Sequence, residues 1–339
     1  MEADAKKDET DGAKNKGQLI VDATCTPADI RYPNDMSLLN ESRENAEWII
    51  DFLHSLNPRS DGKPRDYRVN AHRDFIEYTK KRRPTVRFRR KSIRKQLNYL
   101  KRDMRYIDEY LSVIDKRQIP YRFLKRLEVI RELYEQQKKM YQRNERRVDH
   151  RIVSVSQPHV RPIVRGKAGT PVEFGAKISL SLSDGFCYID HLSWENFNEA
   201  KDLKFQIEHY RTRNGYYPES VHADKIYQNR ENRNYCKERG IRMSGKPLGR
   251  PVKKTEKNKE KLKEERKQRY QDDVDRIAIE GRFGVGERKY GLGLIKSKLR
   301  ETSESDIYIS ILMMNLDKMG NEEMNEIKNR FKIAREKAS

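Results

Sequence analysis

A mixed α/β sheet flanked by helices, with a helical insertion after the first strand, is the architecture this sequence predicts. Three observations carry that expectation. Short runs of β-branched and aliphatic residues recur at 18–26, 172–182, 186–192 and 220–226. Helix-periodic stretches separate them. The two longest seams of helical spacing, from Ile93 to Tyr141, fall between the first strand and all the others.

Taken in order, residues 1–17 are polar and rich in Gly, Lys and Asp, so a disordered lead-in is expected. Leu19, Ile20, Val21 and Thr24 then surround one charged position, Asp22, in a strand over 18–26. Pro27 and Pro33 punctuate a loop, and Ser37–Leu53 reads as a helix with Leu38, Leu39, Ala46, Ile49 and Ile50 on its apolar side. Residues 58–90 read as loop-rich and increasingly basic. Between Lys80 and Arg105 there are thirteen Lys/Arg and one acid, Asp103. Ile93, Leu97, Leu100, Met104, Ile107, Leu111 and Ile114 follow a 4-3-4-3-4-3 spacing, and Phe123, Leu127, Ile130, Tyr134, Gln137 and Tyr141 repeat it after Pro120. Two such helices joined by a short turn suit an antiparallel hairpin; a coiled-coil arm is the alternative.

Residues 151–156 alternate like a strand. A turn at Gly166 and Gly169-Thr-Pro171 leads into Val172–Leu182, and Asp184-Gly185 joins that run to Phe186–Leu192, a strong hairpin signal. Phe197–Asn214 reads as a helix ending before Gly215, Ser220–Ile226 as a strand, Glu231–Arg239 as a helix stopped by Gly240, and Ile241–Met243 as a short strand. Lys237–Tyr270 holds fourteen Lys/Arg and five Glu with almost no aliphatics, either a solvated linker or a charged helix. Helical patterning returns over 271–300 and 304–318, and a charged helical tail closes the chain.

The 339 residues carry 74 Lys+Arg against 53 Asp+Glu, a formal net charge of +21, so a polyanion is the natural partner. Cys25, Cys187 and Cys236 are few, odd in number and far apart, which excludes a disulfide framework or a zinc-ligand spacing and suits a reducing cytoplasm. The first residues lack the apolar stretch of a signal peptide, and no run approaches the ~20 apolar residues that span a bilayer. A soluble, cytoplasmic protein with no membrane partner is expected.

Against that basic background three acids stand out. Asp22 sits inside an apolar strand run, costly to bury unless paired or bound to a metal. Asp224 ends the run Ser220-Val-His-Ala-Asp224, at the strand edge where open α/β sheets bind ligands. Glu280 lies on a helix-patterned stretch. There Val274, Ile277, Ala278, Gly281 and Val285 form one stripe, with Arg276, Glu280, Phe283 and Glu287 opposite. The plainer reading makes Asp22 a strand-end cap, His222 a packing residue, and Arg276 with Glu280 an i,i+4 surface pair. Gly281, Gly284 and Gly286 argue for a backbone that passes close to something, such as DNA, because each costs roughly 1 kcal/mol against Ala in a helix. They fit neither a P-loop nor a dinucleotide fingerprint. A Gly-x-Ser-x-Gly elbow and a His-Glu-x-x-His pair are also missing from the sequence. Gly249-Arg250-Pro251, followed by Lys253 and Lys254, resembles a minor-groove hook, a tripeptide common by chance in basic linkers.

Three separated blocks, Leu19-Ile-Val-Asp-Ala-Thr24, Val221-His-Ala-Asp-Lys225 and Arg276-Ile-Ala-Ile-Glu-Gly-Arg-Phe-Gly284, together resemble the DDE transposases of bacterial insertion sequences, insertion-sequence-five type. Ala28-Asp-Ile-Arg-Tyr-Pro33, Ser156-Gln-Pro-His-Val-Arg-Pro162 with Gly166-Lys-Ala-Gly169, and Val172-Glu-Phe-Gly-Ala-Lys177 add to the likeness, which runs from about 18 to about 318. The resemblance implies a ribonuclease H-like catalytic domain from 18–35 and 151–318. It would be interrupted by a basic helical insertion at 36–150 and a basic linker at 246–270, and followed by the tail at 319–339.

It further implies that Asp22, Asp224 and Glu280 are the catalytic and metal-binding triad. They would hold Mg²⁺ (or Mn²⁺), two ions ~3.5–4 Å apart, for strand cleavage and strand transfer. Lys177, Lys225, Arg276, Arg288 and Lys289 are the expected phosphate contacts. The partners would be double-stranded DNA, both element ends and target, and other copies of the chain, on the nucleoid. Two departures stand out. On the glutamate helix Arg276 matches the family arginine, but Asp273 and Glu287 occupy its tyrosine and lysine positions, with Arg288 and Lys289 next in line. Only 21 residues precede Asp22, where relatives carry a helical DNA-binding region. The chain therefore looks like the catalytic portion of a longer transposase, truncated or from a split frame. The alternative expectation is an inactive fragment that binds DNA or regulates full-length transposase.

Overall fold

The computed structural model describes residues 14–58, 62–164, 172–250, 252–253 and 255–338, and side chains only as far as residue 330. The expected lead-in up to residue 13, the turn and sequence block at Gly166–Pro171, and Pro251 and Lys254 of the basic tripeptide region lie outside the described residues. In chain order the elements are β1 (Gln18–Pro27), α1 (Asp35–Leu56), α2 (Arg68–Thr79), α3 (Val86–Leu111), α4 (Tyr121–Arg143), β2 (Arg161–Val164), β3 (Val172–Ser183), β4 (Phe186–Ser193), α5 (Leu203–Asn214), β5 (Ser220–Ala223), α6 (Arg230–Glu238), β6 (Arg242–Met243), α7 (Lys259–Lys289) and α8 (Arg300–Ala338). Two units form. One comprises residues up to 28, 175–297 and 301–339; the other comprises 29–174 and 298–300.

The first unit is a mixed sheet with flanking helices. Its strands pair in the order β4-β3-β1-β5-β6, antiparallel on the β3 side of β1 and parallel on the β5 side. The β3–β4 hairpin turns at Asp184 and Gly185, with φ of 50° and 80°. Two successive positive φ values make a type I′ turn, which matches the strand twist and favours Asp-Gly. Leu19, Val21, Val221 and Ala223 are buried against Leu203, Ile207 and Tyr210 of α5. Each buried Leu, Val or Ile among them contributes about 1.5–3 kcal/mol of burial, which fixes the register of β1 and β5 against a one-residue slip.

The charged stretch before Tyr270 is helical from Lys259 onward, and α7 runs unbroken to Lys289. Its buried face differs from the apolar stripe the spacing predicts. Asp272, Ile279, Phe283 and Gly286 are buried, whereas Val274 and Ile277 are exposed. Contacts with β1 and β5 decide the face, and a helix with so few aliphatics carries too weak a stripe to announce it. Gly286 owes its identity to protein packing: a Cβ there would lie 2.6 Å from Leu292 Cδ1 and 3.0 Å from Met314 Sδ, both on buried side chains. A Cβ on Gly281 meets nothing within 4 Å. Gly286→Ala is therefore expected to cost about 1–3 kcal/mol through overpacking. A lower urea midpoint at unchanged m-value checks it, with Gly281→Ala neutral or stabilising.

The second unit is helical. Asn34 caps α1, its side chain accepting from Ser37 N at 2.8 Å. α1 packs on α2, α3 and α4, and α3 on α4. The seams at 4-3 spacing are its core: Leu97, Leu100, Met104 and Ile107 pack with Phe123, Leu127, Ile130 and Tyr134 against Leu39, Ile50 and Leu53. α2 arises in the stretch expected to be loop-rich. It has only Ala71 and Phe75 buried, so its sequence carries little apolar periodicity. The expected strand over 151–156 is absent. Ile152, Val153 and Val155 are buried, yet two of their backbone groups bond to helix side chains instead of a ladder. Gln136 Oε1 accepts from Ile152 N at 2.9 Å, and Arg126 Nη1 donates to Val155 O at 2.9 Å.

Candidate active site

The parallel pairing of β1 with β5 sets Val21 opposite Ala223. The next residues along each strand are Asp22 and Asp224, so two carboxylates from distant parts of the sequence become neighbours where β5 ends. Asp22 is half-buried and accepts from its neighbour Ala23 N at 2.8 Å. Burial raises its carboxyl to about 6; the charges of Glu199 and Asp224 push the same way, against the Ala23 bond and Arg276. Asp224 is more open, 53% exposed, and begins a short 3-10 turn over Lys225–Tyr227.

Arg276 on α7 completes the arrangement. Its Nη1 lies 2.8 Å from Asp224 Oδ1, and its Nη2 lies 3.5 Å from Glu280 Oε1 one helical turn on. One guanidinium thus joins the strand-end aspartate to the helix glutamate. The surface-pair reading of Arg276 and Glu280 accounts for only half of what this arginine does.

A buried polar clamp holds α7 in that register. His222 of β5 is fully buried, with Nε2 2.9 Å from Ser220 Oγ and Nδ1 3.8 Å from Asp272 Oδ1. Arg242 of β6 closes the clamp on Asp272 Oδ2 at 2.7 Å. Burial lowers the His222 pKa, so the ring is neutral and acts in packing. The clamp sits two helical turns from Glu280, close enough to set which face of α7 meets Asp224.

Glu199 escaped the sequence reading. Its charge acts on Asp22, and it pairs at 2.5 Å with Lys177, whose Nζ also donates to Phe197 O at 2.8 Å. No strand or helix periodicity marks Glu199, which lies on a 3-10 turn at Glu199–Lys201. Lys177, expected as a phosphate contact, is therefore mostly buried in an ion pair beside the acids. Lys225 is exposed next to Asp224, and Arg288 and Lys289 are exposed in the last turn of α7.

The donor chemistry fits a hard divalent cation: carboxylate oxygens only, one of them on an aspartate that burial keeps from ionising easily, and a positive charge already accommodated between Asp224 and Glu280. The spacing is looser than the donor set. Among the described residues, no three His, Cys, Asp or Glu side chains are close enough to share one metal ion.

A mixed sheet with carboxylates at a strand end, a bridging arginine and further cations nearby forms a site with chemistry for cations and for phosphates alike. Residues 221–317 match the family model of a transposase DDE domain, a stretch that contains Asp224, Arg276 and Glu280 but not Asp22. No curated protein and no solved structure matches the chain. No described helix is long and apolar enough to cross a membrane.

Proposed function

We propose that the sheet-bearing unit is a ribonuclease H-like DDE domain of an insertion-sequence-five type transposase, which cleaves DNA and transfers the freed strand. The observation that supports this reading is that Asp22 adjoins Asp224 at the strand end and Arg276 links Asp224 to Glu280, within and beside the segment similar to a transposase DDE domain. In this reading Asp22, Asp224 and Glu280 hold two Mg²⁺ or Mn²⁺ ions. Bound there, the ions would supply Lewis-acid stabilisation of the charge that develops on phosphate oxygens during strand cleavage. Arg276, relieved of its carboxylates, offers two parallel N–H groups to a phosphate oxygen. Lys225, Arg288 and Lys289 make further phosphate contacts, and Lys177 orients Glu199 beside Asp22. The helical residues 36–150 are read as an insertion within this domain, and 319–339 as its tail. Double-stranded DNA is the substrate, bound by copies of the chain acting together on the nucleoid.

The basic run Lys80–Arg105 would grip DNA flanks without sequence preference. Duplex affinity is then expected to fall by at least about 100-fold between about 50 and 200 mM salt, as counterion release dictates. Fluorescence anisotropy against salt concentration measures it, and a flat dependence would remove DNA from the partner list. The function itself is tested by incubating the chain with Mg²⁺ and DNA bearing the inverted repeats that flank its own gene. Nicks with 3′-hydroxyl ends at the repeats are expected. No cleavage in either Mg²⁺ or Mn²⁺ would overturn the enzyme reading. One observation favours the second reading, a DNA-binding or regulatory fragment without activity: the three acids do not close to single-ion distances.

A further inference from the structure

Next to Asp224, within the same unit, a cavity of about 860 Å³ opens between α7 and the segments that follow β5 and β6. Its walls carry six cationic side chains, Lys225, Arg233, Lys246, Arg266, Arg269 and Arg276, against two carboxylates, Asp224 and Asp273. Two of the six are engaged. Arg233 donates to Gln228 O at 3.2 Å and to Lys246 O at 2.6 Å, shaping the wall, and Arg276 holds Asp224. The remaining cations share the cavity wall with Tyr270, a residue 71% exposed.

Spacing along α7 explains the grouping. Arg266, Arg269, Tyr270, Asp273 and Arg276 recur every three to four residues, so they share one side of the helix. Opposite them stand Lys225 and Lys246, from loops after β5 and β6. The helical face that brings Arg276 to Asp224 is therefore continued towards the helix start by two arginines and a tyrosine.

The volume decides the form of the occupant. A cavity of this size takes a small molecule or a nucleotide or two, whereas a duplex is broader even than its own major groove, about 12 Å wide, and cannot enter. Cations that track a backbone, together with an exposed aromatic face, are the pair of features that bind unpaired nucleic acid, because every base offers a π-face to stack upon. An open tyrosine has no such use against a paired helix.

We propose that this cavity receives an unpaired DNA strand running away from Asp224. One base would stack on Tyr270, and the adjoining phosphates would lie against Arg266, Arg269, Lys225 and Lys246. The proposal rests on the transposase reading and sharpens it: the strand beside the cleaved bond is bound in melted form.

The test measures binding of the full-length chain, without divalent metal, to a fluorescent oligodeoxynucleotide of about ten nucleotides and to the duplex of the same sequence. Tyr270→Ala is expected to weaken single-strand binding by about 10- to 100-fold and duplex binding by less than about twofold, while Tyr270→Phe keeps both. Arg266→Gln with Arg269→Gln is expected to lower the salt slope for the single strand by about one to two contacts. Equal weakening of single strand and duplex by Tyr270→Ala, or no change in either, would overturn the proposal. Tyr270-dependent single-strand binding by a chain that cleaves nothing would leave it standing while the enzyme reading falls. Cleavage by the wild type, with Tyr270→Ala indifferent in binding, would do the reverse.

Discussion

Asp224→Ala is expected to lower metal-dependent strand cleavage on the order of 10³-fold while leaving duplex binding intact or slightly tighter. On the proposed reading, loss of one ligand to the metal pair forfeits several kcal/mol of transition-state stabilisation, and each ~1.4 kcal/mol is tenfold in rate. The fold has little to lose. Asp224 is about half exposed, and its carboxylate pairs with Arg276. Exposed ion pairs contribute roughly 0–1 kcal/mol. Removing the aspartate also takes one carboxylate from Arg276, so on the same reading more of its charge is available to DNA. Cleavage and anisotropy measured on one preparation separate the readings: cleavage that survives at more than about a tenth of wild type would reduce Asp224 and Arg276 to a surface pair.

Asp103→Asn is expected to stabilise the helical unit by several kcal/mol at pH 8.5, and by much less at pH 5. Asp103 sits fully buried on α3, and among the described residues neither carboxyl oxygen has a hydrogen-bond partner. Burial, reinforced by the charges of Glu47 and Asp66, raises its pKa to about 8 against the opposing pull of Arg43 and Arg102. An acid whose folded pKa lies above its unfolded value binds more protons when folded. Its ionisation therefore costs nothing below the unfolded value near 4, and costs progressively more as pH rises towards 8. The slope is on the order of 1.4 kcal/mol per pH unit across that window. Asparagine keeps the shape and polarity without the charge, so the slope should vanish. Urea denaturation at pH 5, 7 and 8.5 decides it; parallel pH profiles for the two proteins would show that Asp103 is solvated in a way its burial denies.

Asp103 also marks how far sequence could be read. In the chain it is the one acid in a basic run, and its charge argues for the solvated face. It nonetheless sits directly before Met104 and three residues after Leu100, so the packed side of α3 takes it in. The seam itself was legible, because Leu97, Leu100, Met104 and Ile107 repeat at helical spacing and periodicity is local. The Asp184-Gly185 turn was legible for a similar reason, since its positive φ values restrict which residues fit. The apolar run over 151–156 was misread as a strand because burial and strand pairing leave the same trace in a sequence. Gln136 and Arg126, on another element, supply the missing backbone partners.

The acids divide along the same line. Asp22 in an apolar strand and Asp224 at a strand end are anomalies of local pattern, and the sequence alone singled them out together with Glu280. That they adjoin depends on the pairing of β1 with β5, which joins residues some two hundred positions apart. Only the folded chain decided that Arg276 stands between Asp224 and Glu280, that Glu199 adds its charge to Asp22, and that Lys177 is spent on Glu199. The face of α7 that makes those contacts was likewise set by the His222–Asp272–Arg242 clamp and by Gly286 against Leu292. Local pattern can say which residues are unusual for their surroundings; which charges end up a few ångströms apart is fixed by packing between elements that the sequence lists far from one another.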